Sequence, residues 1–247
     1  MTALSPRRTF SGTALKTIAC ITMLVDHIGA SCIEAGILTP GLDVGTLSQD
    51  TLFAYPLYRL DMVLRFTGRL AFPLFCFLLV EGFVHTHNVK GYLGRLLLFG
   101  LVSEVPFDLA FFRTPFAPQH QNVYWTLALG VLAMAGLKRF EKENGLPGWQ
   151  GLVWAGGAVL ALPANTDYHA IGVLIICTLY LTRADRKRQC LAGAVLFLFE
   201  LTAPLAFVLV WFYNGQRGAC SPLLKKAFYW FYPVHLLVLA MITNLML

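Results

Sequence analysis

"ALKTIACITMLVDHIGASCIEAGI", residues 14–37, is an apolar run interrupted by Lys16, Asp26, His27 and Glu34. A helix needs about 20 such residues to cross the hydrocarbon core of a bilayer. The run is long enough, and its pattern recurs. Arg65–Thr86, Tyr92–Phe112, Val123–Phe140, Trp149–Pro163, Ala170–Thr182 and Lys226–Met246 are further candidate spans. Cys190–Tyr213 reads in two ways: one helix bent at Pro204, or two short helices meeting at Glu200–Pro204. The sequence therefore predicts an all-α, polytopic transmembrane bundle of eight or nine spans, organised as one domain over residues 1–247.

Composition agrees. The 247 residues are 57% hydrophobic and 13% charged, whereas about a quarter of a soluble domain is charged. A soluble fold of this length still needs a charged surface, so the missing polar area faces lipid. The net charge of +6 does not indicate nucleic acid, because the basic residues lie between apolar segments and form no patch or arm. The cysteines (Cys20, Cys32, Cys76, Cys177, Cys190 and Cys220) show no CxxC or His/Cys metal spacing, and no metal is expected. The first apolar run is too long for a signal peptide and reads as a retained span.

Basic residues orient the spans. With the N-terminus in the cytoplasm, the inner segments hold Arg7, Arg8, Lys16, Lys90, Arg95, Lys138, Arg139, Lys142, Arg183, Arg186, Lys187 and Arg188. The opposite loops hold Arg59, Arg65 and Arg113. This bias predicts a cytoplasmic N-terminus. Arg217, Lys225 and Lys226 join the inner set if Cys190–Tyr213 crosses twice, which favours nine spans. The loop from Leu38 to Leu64 lies outside, as a lid or short interfacial helix.

In that orientation, polar residues from separate spans reach one level in the outer half. Asp26 and His27 come from span one, Arg69 from span two, Glu104 and Asp108 from "SEVPFD", and Asn122 and Tyr124 from "QNVYW". Tyr168, in "TDYHAIG", and Tyr232 and His235, in "FYPVHLL", join them. Ionisable groups inside a bundle usually line a cavity or a pathway. The competing readings are a core histidine bonded to a carbonyl for His235 and helix-packing ion pairs for Arg69.

Six blocks now stand together in order: "LKTIACITMLVDHIGA", "GRLAFPLFCFLLVEGF", "LLLFGLVSEVPFDLAF", "QNVYWTLALG", "YNGQRG" and "FYPVHLLVL". Jointly they resemble the TraX family, over nearly the whole chain. The resemblance implies a bacterial inner-membrane acetyltransferase that takes acetyl groups from acetyl-CoA, with the N-terminal amine of pilin-like subunits as the founding acceptor.

A histidine with an ordinary pKa near 6.5 suits that task, since it can take and return a proton at neutral pH. His27 is the expected general base. Asp26 and Glu104 are expected as orienting carboxylates, with Asp26 alternatively holding Arg69 and Glu104 orienting the imidazole. Arg69, Asn122 or Tyr124 would stabilise the oxyanion. Tyr232 and His235 would close the cavity. In "YNGQRG", Asn214, Gly215, Arg217 and Gly218 form the expected CoA-binding turn, with backbone N–H groups and a guanidinium for phosphate. A plain tight turn between helices is its competitor. The alternatives for function are an O-acyltransferase of envelope glycan and, from another class, a small proton-coupled transporter.

Overall fold

The structure, a computed structural model, describes residues 9–38, 55–142, 156 and 167–245. The expected span Trp149–Pro163 (apart from Gly156), residues 39–54 of the long loop, and Arg7 and Arg8 lie outside the described residues. The elements are α1 (Gly12–His27), continued as a π-helix (Ile28–Leu38), α2 (Pro56–Gly68), α3 (Ala71–His85), α4 (Val89–Phe112) and α5 (Val123–Lys142). They are followed by α6 (His169–Leu181), α7 (Arg186–Leu196), a 3-10 turn (Ala203–Leu205), α8 (Ala206–Trp211) and α9 (Pro222–Leu245). No strand occurs among the described residues beyond one isolated bridge, Phe10 to Tyr213.

Among the described residues, four stretches are long and apolar enough to cross a membrane: Gly12–Leu38, Pro56–His85, Val123–Glu141 and Pro222–Leu245. The protein is a membrane protein. At the centre stands α3, which touches α1, α5, α6 and α8. Its sequence is apolar apart from Glu81 and His85 near its end, and nine of its 15 residues are buried, as expected of a helix enclosed by others. Proline at its third residue, Pro73, is tolerated because the first turn has no intrahelical acceptor for that position. Apolar side chains on the outside of α4 and α9, such as Leu101, Val105, Val238 and Met241, remain exposed.

One end of the bundle, here called basal, gathers the start of α1, the α3–α4 turn, the ends of α5 and α6, and the turn after α8. Gly12 N–H donates to Gln216 C=O (2.8 Å), Arg186 pairs with Glu81 (3.6 Å) and Arg183 with Glu141 (2.8 Å). The opposite end is apical. Lys16, Lys138, Arg183, Arg186, Arg217 and Lys225 are basal, whereas Arg59 and Arg113 are apical.

Two features differ from the sequence expectation or resolve it. The second span begins at Pro56 rather than Arg65, as α2, which breaks at Arg69 and Leu70 before α3. Cys190–Tyr213 is two short helices. From Arg186, α7 rises for 11 residues, about 16 Å. The chain then turns through 197–202, and α8 packs back along α7. The Phe212 carbonyl then accepts from Thr9 N–H (2.9 Å) and Phe10 N–H (3.1 Å), so both ends of this hairpin are basal. Its tip exposes Leu198, Phe199 and Leu201 and buries Glu200, whose side chain is 9% exposed. Irregular backbone at membrane depth persists only where protein covers it or it lines a wet cavity.

The level that the sequence predicts is present. At about 1.5 Å per residue, Asp26 and His27 in α1, Arg69 ahead of α3, Glu104 in α4 and His235 in α9 all lie about 20–24 Å from the basal ends of their helices.

Candidate functional site

His27 ends the regular part of α1, immediately before the π-helix. A π-turn widens the helix and frequently marks functional sites. Here it lets Gly29 pack against Asp61 and Arg65 of α2, and Gly36 against Thr243 of α9. The His27 ring meets α9: its Nδ1 lies 2.7 Å from His235 Nε2. The ring planes differ by 13° with centroids 5.0 Å apart, the side-by-side geometry of an in-plane hydrogen bond. His235 Nδ1 lies 2.6 Å from the Phe231 carbonyl.

The tautomers follow from these two contacts. A carbonyl only accepts, so His235 Nδ1 carries the proton and, in a neutral ring, Nε2 accepts. His27 Nδ1 must then be the donor, and the lone pair of His27 sits on Nε2. The rings around the pair are Phe111 (5.2 Å from His27), Tyr232 (6.0 Å from His27) and Phe231 (4.8 Å from His235). A charge without a partner is costly among such rings, which favours two neutral imidazoles. His235 therefore both makes the carbonyl bond of its competing reading and meets His27. Glu104 is not what orients the His27 imidazole.

The ionic groups pair differently from the sequence expectation. Asp26 Oδ2 accepts from Arg65 Nη1 at 2.6 Å, so its partner is Arg65 and not Arg69. Glu34 lies 3.7 Å from the same guanidinium. Asp61, one turn before Arg65, is buried, and its Oδ1 has no hydrogen-bond partner among the described residues. Arg69 instead donates to Glu200 Oε1 at the hairpin tip (3.0 Å), which also accepts from Tyr168 O–H (3.2 Å). The Tyr168 ring stacks on Phe72 at 3.5 Å and 8°. Thr202 O–H donates to the Phe66 carbonyl (2.5 Å), fastening the tip to the broken end of α2.

A third group joins α4 to α5. Glu104 Oε2 accepts from the Asn122 amide and from Trp125 Nε1 (3.0 Å). Asn122 also donates to the Gly100 carbonyl (2.8 Å). Its two N–H groups are thus committed. Asp108 Oδ2 accepts from Ala117 N–H (2.8 Å) and holds the α4–α5 connection. Tyr124 bridges toward the histidines, since its ring lies edge-on to Tyr232 at 5.2 Å. Asp26, Asp61, Glu104, Asp108 and Glu200 each keep one buried oxygen without a hydrogen bond among the described residues. Buried polar atoms are nearly always paired, so this concentration marks the level as polar and under-satisfied.

The basal turn has a structural task. Gly215 and Gly218 have φ of +77° and +79°, which side chains with a Cβ resist. The turn directs the carbonyls of Gln216 and Arg217 at the first N–H groups of α1: Gly12 to Gln216 (2.8 Å) and Thr13 to Arg217 (2.8 Å). Asn214 N–H donates back to the Phe10 carbonyl (2.9 Å). This accounts for the glycines as the competing tight turn would, while the Arg217 side chain stays exposed. A cavity of about 230 Å³ lies elsewhere at the basal end, against Phe83, Val84, Lys138, Glu141, Tyr180 and Arg183.

Of the expected site residues, His27, Tyr232 and His235 come together, with Tyr124 adjoining. Arg69 and Tyr168 form a second cluster, and Glu104 and Asn122 a third. Asp26, next to His27 in sequence, turns to Arg65. Sequence reasoning missed Arg65, Asp61, Glu200 and Trp125. The spacing of Asp61 and Arg65, four apart on one helical face, was the available signal.

Comparison with known proteins gives a consistent result. The chain is 32% identical to the probable fimbrial assembly protein FimC, serogroup H1, of Dichelobacter nodosus, over 93% of this chain and 94% of that one. No solved structure matches. The TraX protein family matches residues 11–243, and the chain belongs to the TraX family.

Proposed function

We propose that this protein is an acetyltransferase of the bacterial inner membrane, with its N-terminus in the cytoplasm. It moves an acetyl group from cytoplasmic acetyl-CoA to an amine or hydroxyl acceptor on the outer side. The observation that carries this reading is the His27–His235 hydrogen bond, which places a bare Nε2 on His27 inside the bundle. As the acceptor nitrogen or oxygen attacks the thioester carbonyl, its proton passes to that nitrogen. The carbon–sulfur bond then breaks and the proton moves on to the leaving sulfur. Products are the acetylated acceptor and the free CoA thiol. While His27 is protonated, His235 Nε2 still accepts from its Nδ1–H and supports the positive charge.

Membership of the TraX family, and the fimbrial assembly relative, support a pilin-like subunit as the acceptor. Acetylation of an envelope glycan hydroxyl uses the same groups. A proton-coupled transporter is favoured by a different observation, the discontinuous helices at Arg69 and Glu200. One experiment separates these readings. The purified protein in nanodiscs is incubated with acetyl-labelled acetyl-CoA and envelope extract, and the labelled species is identified. Label on a protein N-terminus supports N-acetylation, and label on glycan supports the O-acetyl alternative. Absence of any label from the wild-type protein would sink the acetyltransferase reading.

A further inference from the structure

Three basal arginines already have a carboxylate. Arg183 is gripped by both oxygens of Glu141 (2.8 and 3.1 Å), Arg186 by Glu81 (3.6 Å) and Arg188 by Asp185 (3.2 Å). The cavity beside Arg183 is therefore a poor place for an anion, because Glu141 cancels its charge. Lys16 differs. It is half-buried, and among the described residues no carboxylate lies within ion-pair distance of it. Its ammonium stands 4.8 Å from the Phe228 ring centroid and 5.5 Å from that of Tyr229, both on α9. The basal turn adjoins it, since the Arg217 carbonyl accepts from Thr13 N–H (2.8 Å), one helical turn below Lys16. Aromatic faces partly satisfy an ammonium, but they do not neutralise it.

The position of Lys16 matters as much as its charge. Lys16, Cys20, Met23 and His27 follow at i, i+4, i+7 and i+11, so they form one stripe of α1. Phe228, Tyr232 and His235 form the facing stripe of α9. Met23 and Tyr232 share one buried cluster, and the His27–His235 bond closes the seam at its upper end. The rise from Lys16 to His27 is about 16 Å, a span that an extended pantetheine chain covers.

We infer that Lys16, with Arg217 beside it, binds the phosphate end of the thioester donor, and that the α1–α9 seam guides the pantetheine arm from there to His27. This rests on the acetyltransferase reading. The rings of Phe228 and Tyr229 occupy the lower seam in this structure and part to admit the arm. The binding groups are side chains, since the turn's carbonyls, not its N–H groups, face α1.

The test uses the full chain in nanodiscs and two probes, CoA and pantetheine, which carries the same arm without the nucleotide and its phosphates. Lys16→Met should bind CoA about tenfold more weakly, the loss of one charge-assisted contact, with pantetheine affinity unchanged. Lys16→Arg should retain most CoA affinity. Arg217→Gln, at an exposed position, should show a smaller loss confined to CoA. Retained pantetheine binding reports that each variant is folded. If Lys16→Met weakens both probes equally, or neither, and Arg217→Gln leaves CoA affinity intact, the inference is overturned while the acetyltransferase reading stands. If the wild-type protein binds neither probe, the acetyltransferase reading itself fails.

Discussion

Between α1 and α9 the polar groups are two neutral rings; between α2, α3 and the α7–α8 hairpin they are ions. The two clusters sit at about the same height but solve burial differently. His27 and His235 complete each other's hydrogen bonds without separating charge, so they can be enclosed by Phe111, Phe231 and Tyr232 at little electrostatic penalty. Arg69 and Glu200 join two breaks in the backbone, the end of α2 and the hairpin tip. An ion pair in that position fixes which discontinuous ends meet, a use of buried charge that need not add net stability. The contrast assigns chemistry to the first cluster and architecture to the second.

The largest expected effect comes from breaking the first. His27→Ala should lower acetyl transfer by about 10²–10⁴-fold, the usual contribution of a general base, with little change in thermal unfolding. Initial rates and a melting curve on the same preparation check this. Full turnover in the variant would remove His27 as base. His235 offers a finer break. His235→Leu deletes the acceptor for His27 Nδ1–H and should reduce transfer about a hundredfold, toward the lower end of such effects. His235→Gln supplies an amide oxygen that can accept the same proton, and it should recover part of the rate. If leucine and glutamine behave alike, the tautomer argument is wrong.

The second cluster should respond in stability instead. Removing Arg69 as Arg69→Met strands Glu200, whose side chain is 9% exposed and already has one oxygen without a partner among the described residues. Removing Glu200 as Glu200→Leu strands Arg69, which is 34% exposed and reaches solvent. The full cost of an orphaned buried charge is about 3–5 kcal/mol, and the exposure of Arg69 reduces it. Arg69→Met should therefore lower the melting temperature more than Glu200→Leu does. The double variant should be more stable than Arg69→Met alone. Equal losses in all three would mean that the pair does not hold the hairpin.

How much of this was legible in the sequence follows from the range of the interactions. Spans α1, α5 and α9 announce themselves because their length and apolarity are local properties. The hairpin was legible to within two choices, since Glu200 and Pro204 mark a break but not which way the chain returns. The start of α2 was not legible. "YRLDMVLR" puts Arg59, Asp61 and Arg65 within seven residues and reads as a loop. What overrides that is tertiary: Asp61 is buried and Arg65 finds Asp26. Partner identity was least legible. His27 and His235 are 208 residues apart, and Arg69 and Glu200 are 131 apart. Reading depth along each helix placed His27, Arg69 and His235 at one height, but only packing could choose who faces whom.

The smallest effect separates two glycines of the basal turn, and it tests what that turn is for. Gly215 and Gly218 have nearly the same φ, +77° and +79°, but different surroundings. Nothing lies near a Cβ at Gly215, whereas one at Gly218 would run into the Ser11 side chain. Ser11 is the N-cap of α1 and accepts from Ala14 N–H at 3.2 Å. Gly215→Ala should therefore meet only the left-handed backbone penalty, about 1 kcal/mol. Gly218→Ala should add displacement of the cap, which is itself about 1 kcal/mol. A larger melting shift for Gly218→Ala places the turn's main role at the entry of α1, upstream of Lys16 and His27. Equal shifts would mean that Ser11 moves freely, and that the carbonyl bonds to Gly12 and Thr13 alone seat the helix.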